Sequence, residues 1–335
     1  MSMQTTQNKN SEAATRTQNL IDVVIPVAVK DLPKLPICIR QLSRNSLTPI
    51  NKIYIVTQQF ICQQKRYLEP SVVWIPEESY SFSLVDIEQW LINKGNKYSN
   101  SSWYYQQLLK FYIFDTIPNL LPNTLILDVD FFISQPLAFL TNQGQAILSY
   151  GYPFKWLLNT RDYPKENHHS HIEFARRFVP QWFPVNPFSG MHHHILFKKE
   201  IITKLFSVVE NHHHQYFWQA FLDNVEFYKW NAASEYVIYY HFAMKFFPKT
   251  LISRYLKSCD FIHDHQENSF TLDVAKNILE QRIFDTVGCH GFLNLRARLK
   301  TMDYIPDDLK ERMLTSEQIV FKLILDDGVL TIEGL

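Results

Sequence analysis

The sequence predicts an α/β protein built on a mostly parallel sheet flanked by helices, with a mixed C-terminal extension. Three observations carry this. Short apolar runs rich in Val and Ile recur at 21–27, 52–57, 72–76 and 125–130, and segments of helical spacing separate them. Strand, helix, strand then closes as a right-handed parallel crossover, and such sheets bind ligands at the carboxyl ends of their strands.

The elements follow in order. IDVVIPV at 21–27 reads as a buried first strand, stopped by Pro26 and the polar Lys30-Asp31. Leu35, Ile39 and Leu42 predict a helix over 34–46; KIYIVT at 52–57 and VVWIP at 72–76 are the second and third strands. Helices are expected over 83–92 and 102–117, and LILDVD at 125–130 is the fourth strand. A strand at 146–150 leads into a long loop containing Pro153, Pro164, Pro180, Pro184 and Pro187, a candidate wall or lid. Residues 191–197 read as a strand, and 199–210, 214–227 and 233–247 as helices. Residues 1–19 form a polar, disordered leader, 20–295 the main domain, and 296–335 an extension with no assignable role.

Composition narrows the class. The 335 residues carry 33 basic and 33 acidic side chains, so no global field recruits nucleic acid, which is disfavoured as a partner. Aromatic residues make up 15% of the chain, and Trp103-Tyr104-Tyr105 and Tyr216-Phe217-Trp218 suit carbohydrate stacking and a core equally. Cys38, Cys62, Cys259 and Cys289 lack a paired spacing, which fits a reducing cytosol. The leader has no apolar signal region, and no run reaches the roughly 18 apolar residues of a transmembrane segment. The expected location is the cytoplasm, free or peripheral to the inner face of a membrane.

Asp128 and Asp130 flank one residue at the end of the fourth strand. Strand alternation would point both carboxylates one way and Val129 into the protein. Such a pair repels itself unless a cation neutralises it, and hard oxygen ligands suit Mg²⁺ or Mn²⁺. Asp-rich turns offer the plainer explanation, but Phe131-Phe132-Ile133 is too apolar for a solvated turn.

Thirteen histidines include the triplets His192-His193-His194 and His212-His213-His214, whose members cannot all converge because neighbours point apart. The second triplet falls at a helix end, where imidazoles favour carbonyls; His168, His169 and His171 fall in the long loop and are expected to be exposed. The first follows Gly190 and opens an apolar strand, consistent with backbone pressed close to a ligand. In the helix around Trp103, Leu108 and Leu109 face inward while Gln106 and Lys110 share a face, where Lys110 is a phosphate candidate or a solvated lysine. Ser234 could cap the next helix, with Glu235 either favouring its positive end or serving as a catalytic base.

Together VVIPV, WYYQQLLKFY, LILDVD, SGMHHHILF and ASEYVIYYHF resemble nucleotide-sugar-dependent glycosyltransferases of the GT-A type, over roughly residues 20 to 295. The likeness is strongest to bacterial proteins catalogued as a domain of unknown function and presumed to be such enzymes. The resemblance implies a GT-A-like catalytic domain, Mn²⁺ or Mg²⁺ as cofactor, a nucleoside-diphosphate sugar as donor and a glycan or glycolipid acceptor, with hexosyl transfer as the expected class. By resemblance Asp130 is the main metal ligand and Asp128 its partner, also reaching the donor together with Lys110 and Gln106. His193 is the first choice as a further ligand, ahead of His194, His241, His263 and His290. Glu235 is the candidate base for an inverting course. Haloacid-dehalogenase-like phosphatases also follow an apolar strand with Asp-x-Asp, but that family expects a small Thr or Val where Phe132 stands and a motif nearer the N-terminus. A non-catalytic carbohydrate-binding protein is the third reading, because fold does not establish activity.

Overall fold

The computed structural model describes residues 20–63, 72–95, 100–151, 170–226, 232–262, 279–280, 282, 284–290, 321–326 and 329–334. The first half contains β1 (Ile21–Pro26), α1 (Leu35–Asn45), β2 (Ile50–Thr57), α2 (Gln59–Gln63), β3 (Val72–Pro76), α3 (Leu84–Asn93), α4 (Ser101–Phe111), α5 (Ile113–Thr116), β4 (Asn123–Leu127), β5 (Phe131–Ile133) and β6 (Ala146–Ser149). The second contains α6 (Ser170–Phe178), β7 (His194–Lys198), α7 (Lys199–His213), α8 (Phe217–Asp223), α9 (Glu235–Phe246), β8 (Leu251–Arg254), β9 (Ser258–Ile262), β10 (Thr286–His290), β11 (Phe321–Asp326) and β12 (Val329–Gly334).

The central sheet has the order β3-β2-β1-β4-β7, with the first four strands parallel and β7 antiparallel to β4. This is the expected α/β architecture. Every residue of β1 is buried, which is why its sequence is a nearly unbroken apolar run instead of an alternation. Its one acid, Asp22, accepts hydrogen bonds from Asn51 Nδ2 at 2.8 Å, Lys52 N at 3.2 Å and Leu121 N at 2.7 Å. Those donors satisfy a carboxylate that burial would otherwise penalise. α1 buries Leu35, Cys38, Ile39 and Leu42 as a single stripe. α3 starts at a capping box, where Ser83 and Asp86 satisfy each other's backbone N–H. α9 is buried along most of its length, from Glu235 to Ala243.

Beyond the central sheet, β5, β10 and β9 form a three-stranded sheet, β6 pairs with β8, and β11 with β12 makes an antiparallel hairpin within the C-terminal extension. Several expectations change. The helix expected over 102–117 breaks at Tyr112, giving α4 and α5. The strand expected at 191–197 begins only at His194 and runs antiparallel. The proline-rich loop contains α6, whose Phe174 meets Phe221 at a tilt and whose Phe178 meets it edge-on. Residues 1–19, 152–169 and 291–320 lie outside the described residues, and with them the leader, His168 and His169.

Both aromatic clusters serve mainly as core: Tyr104, Tyr105 and Phe217 are buried, while Tyr216 is exposed. Cys38 and Cys62 are buried free thiols. Among the described residues no helix is long and apolar enough to cross a membrane.

Candidate functional site

β4 ends at Leu127, opposite His194 of β7. The ladder gains one more bond, from Asp128 N to His193 O at 2.9 Å, and the chain then turns, with Phe131 N donating to Asp128 O at 3.1 Å. Asp128 and Asp130 therefore occupy a tight turn at the carboxyl end of the sheet, not a strand. Asp128 is buried and Asp130 half-buried, and the charges of both reach Cys38 and Tyr236. The turn exists because the chain leaves the central sheet at this point to enter the second one as β5.

Lys110, in the last turn of α4, reaches into this corner. Its Nζ lies 2.5 Å from Asp128 Oδ1 and 2.5 Å from Glu235 Oε1. It also donates to the Tyr236 hydroxyl at 3.2 Å and sits over that ring, 4.7 Å from its centroid. Lys110 is thus neither a solvated helix lysine nor free for phosphate as it stands; it is the internal cation of two carboxylates. Burial opposes its charge, but Asp128 and Glu235 outweigh burial and hold it above the ordinary lysine range. Burial likewise opposes the Asp128 charge, and Lys110 and His193 outweigh it, leaving that carboxyl well below its usual range. Glu235 goes the other way: burial raises it, Asp128 adds to the rise, and Lys110 only partly offsets them.

Glu235 occupies the first turn of α9, where Ser234 Oγ caps by accepting from Val237 N at 3.4 Å. The capping alternative holds for Ser234, and Glu235 stands in the positively polarised first turn. The serine caps, while the buried glutamate faces the carboxylate turn through Lys110.

The first histidine triplet divides. His193 has φ +53° and presents Nδ1 to Asp128 Oδ2 at 3.1 Å. His192 and His194 lie against Phe131, with ring centroids 5.6 and 5.5 Å away. Burial drives both below the usual imidazole range, His192 to about 3, and charges nearby add to this. His194 is held between the His192 carbonyl at 2.8 Å and Ser149 Oγ at 3.3 Å. Gly190 is close-packed, but against Tyr240: an added Cβ would stand 2.3 Å from Tyr240 Cβ, so the glycine reports helix packing and not a ligand.

The remaining candidates lie elsewhere. His241 is buried in α9, where its Nδ1 accepts from Val185 N at 3.1 Å, and burial lowers it to about 4. His171 is buried in α6, contrary to the expected exposed loop. His213, at the end of α7, approaches at 2.9 Å the Phe178 carbonyl, which belongs to α6 and not, as expected of the second triplet, to its own helix. His263 lies outside the described residues. His290 closes β10, two residues beyond Gly288, whose pairing with Phe131 ends the β5–β10 ladder.

The donor chemistry here suits a hard divalent cation. Asp128 Oδ1 is buried and meets Lys110 as an ion pair outside hydrogen-bond geometry, next to the half-buried Asp130 and to His193. Among the described residues, no three such side chains stand gathered around one point.

Two participants escaped sequence reasoning. Tyr236 was passed over as part of an apolar helix. On α4 the carboxamide turned to α9 is Gln107, whose Nε2 donates to the Ala233 carbonyl at 3.1 Å, while Gln106 is half-buried on the adjoining face. The spacing of three between Gln107 and Lys110 was the available signal.

No protein-family model matches the chain, and no curated protein sequence does. Among solved structures, it is similar to the apo form of mouse xyloside xylosyltransferase 1, at 10% identity and a TM-score of 0.41, over 80% of this chain and 97% of that one.

Proposed function

We propose that this chain is a GT-A-like glycosyltransferase that moves a hexosyl group from a nucleoside-diphosphate sugar to a glycan or glycolipid acceptor, in the cytoplasm or against the inner face of a membrane. One observation carries the reading: an Asp-x-Asp turn at the carboxyl end of a parallel strand, with Lys110 and Glu235 converging on it from two helices. A bound Mn²⁺ or Mg²⁺, held by Asp130 and Asp128 with His193, would supply positive charge where the leaving diphosphate develops negative charge.

The chain's own groups do the rest. Lys110 fixes Asp128 and Glu235 relative to each other and keeps positive charge at the sheet edge. His193 steadies the second oxygen of Asp128. Glu235 takes the acceptor proton in an inverting reaction, because a buried carboxylate raised above its usual range is a stronger base when ionised. The water-poor corner strengthens each of these interactions.

Thermal unfolding with UDP, GDP, CDP and ADP, each with and without Mn²⁺, tests the reading, since a ligand of the native state raises the midpoint. One nucleotide is expected to raise it only with metal. Asp130→Ala should abolish that shift while leaving the unliganded midpoint in place. If no nucleotide acts in either condition, glycosyl transfer is abandoned and phosphoesterase activity becomes the next assay.

A further inference from the structure

We propose that the surface formed by the 181–187 loop and the C-terminal end of α9 docks on an anionic lipid bilayer. This deepens the membrane-side location of the proposed function and is independent of glycosyl transfer itself. Burial alternates along the loop: Trp182 is buried and Pro184 and Asn186 half-buried, whereas Phe183, Val185 and Pro187 are exposed. The loop is tied down on α9. Trp182 Nε1 donates to the Ile238 carbonyl at 3.2 Å, Val185 N to His241 Nδ1 at 3.1 Å, and Asn186 Nδ2 to the Tyr240 hydroxyl at 2.9 Å. A loop so pinned ordinarily turns polar side chains to water, and this one turns out a phenyl ring, a valine and a proline.

The end of α9 continues the patch. Phe183 is 48% and Phe246 40% exposed, and the Lys245 ammonium stands 4.0 Å from the first ring's centroid and 4.9 Å from the second's, so two rings and a cation form one unit. Lys245 also donates to the Gln181 carbonyl, and Lys249 follows in the open. An exposed apolar patch marks a protein or a membrane interface, and charge decides between them. The whole chain is neutral, yet the segments that meet here contain no Asp or Glu: 131–151, whose Gln145 donates to the Lys249 carbonyl, 174–199 and 236–259. α6, which packs on α9, carries Glu173, but Arg176 pairs with it at 3.3 Å. Protein interfaces are depleted in lysine. A lysine between aromatic rings suits a headgroup layer instead, with the rings at the apolar boundary and the ammonium on lipid phosphate. The charged corner lies at the other end of α9, about 16 Å along its axis, so substitutions in the patch leave donor binding in place.

Flotation of the full-length protein with vesicles tests the surface, using phosphatidylcholine alone and an equimolar mixture of phosphatidylcholine and phosphatidylglycerol. The wild-type protein should float with the mixture and more weakly with phosphatidylcholine. Phe183→Ser combined with Phe246→Ser should weaken binding to the mixture more than about tenfold. Lys249→Gln, a fully exposed change that guards against a double variant that fails to fold, should weaken it about fivefold and leave phosphatidylcholine binding unchanged. Wild-type protein that ignores both vesicles overturns the inference, as does a folded double variant that floats as the wild type does. So does a wild-type dimer that the double variant dissolves, because the patch then belongs to a second copy. The metal-dependent nucleotide shift should persist in every folded variant; its absence from the wild type overturns the glycosyl-transfer reading and leaves the docking surface in place.

Discussion

The two histidine triplets are identical as peptides and opposite as structures. Each contains one residue in the left-handed region, His193 at φ +53° and His214 at φ +56°. In the first triplet that residue is the middle one, just before β7, so its ring turns to Asp128 while His192 and His194 share Phe131. In the second it is the last one; it ends α7, and its N–H returns to the Glu210 carbonyl at 2.8 Å. The difference teaches that where the positive φ falls, and which element it borders, decides what a run of histidines can do.

The sharpest way to break this contrast is to remove the cation behind the first triplet's partner. Lys110→Met leaves Glu235 buried without its cation and Asp128 with His193 alone, and should cost about 3–5 kcal/mol in urea unfolding. A loss below about 1 kcal/mol would mean that the corner relaxes freely and that His193 alone steadies Asp128. Acid sharpens the contrast next. His192, lowered to about 3, and His241, lowered to about 4, remain neutral in the fold while the unfolded chain protonates them below about 6.5. The unfolded state then holds more protons, so stability should fall as pH drops from about 6.5 toward about 4. His192→Gln should make that fall shallower; an unchanged slope would place the buried charge penalty elsewhere. The smallest effect belongs to the second triplet. His214→Gly relieves a left-handed side chain at a helix end and should stabilise by about 0.5–1 kcal/mol, read as a rise in the unfolding midpoint. A destabilised variant would mean that the imidazole makes a contact worth more than the strain.

The parallel part of the sheet was legible because β1, β2 and β3 are apolar runs bounded by breakers, a pattern that tertiary context reinforces. The antiparallel course of β7 was not, since HILF reads the same in either direction and only its pairing with β4 fixes it. At the Asp-x-Asp pair the expected strand is a turn: a strand continuing through Asp130 and a turn closing after Asp128 have the same sequence. The buried character of Lys110 was hidden for a different reason. Its helix carries polar and apolar residues on several faces, and the charge is tolerable only because Glu235 arrives from a segment 125 residues away. Long-range charge compensation of that kind leaves no periodicity to read.

That separation has a consequence for the order in which the molecule is made. A growing chain that has emerged as far as β5 already contains Lys110 and Asp128, yet lacks the segment that supplies the second carboxylate, the capping serine and the tyrosine ring. Until α9 arrives, the lysine lacks one of its two carboxylates and the tyrosine ring that it sits over. The ion pair between α4 and α9 therefore acts as a late checkpoint of assembly, because closing so long a loop is among the slowest events in folding an α/β chain. The buried charged corner comes into being only when synthesis has passed α9.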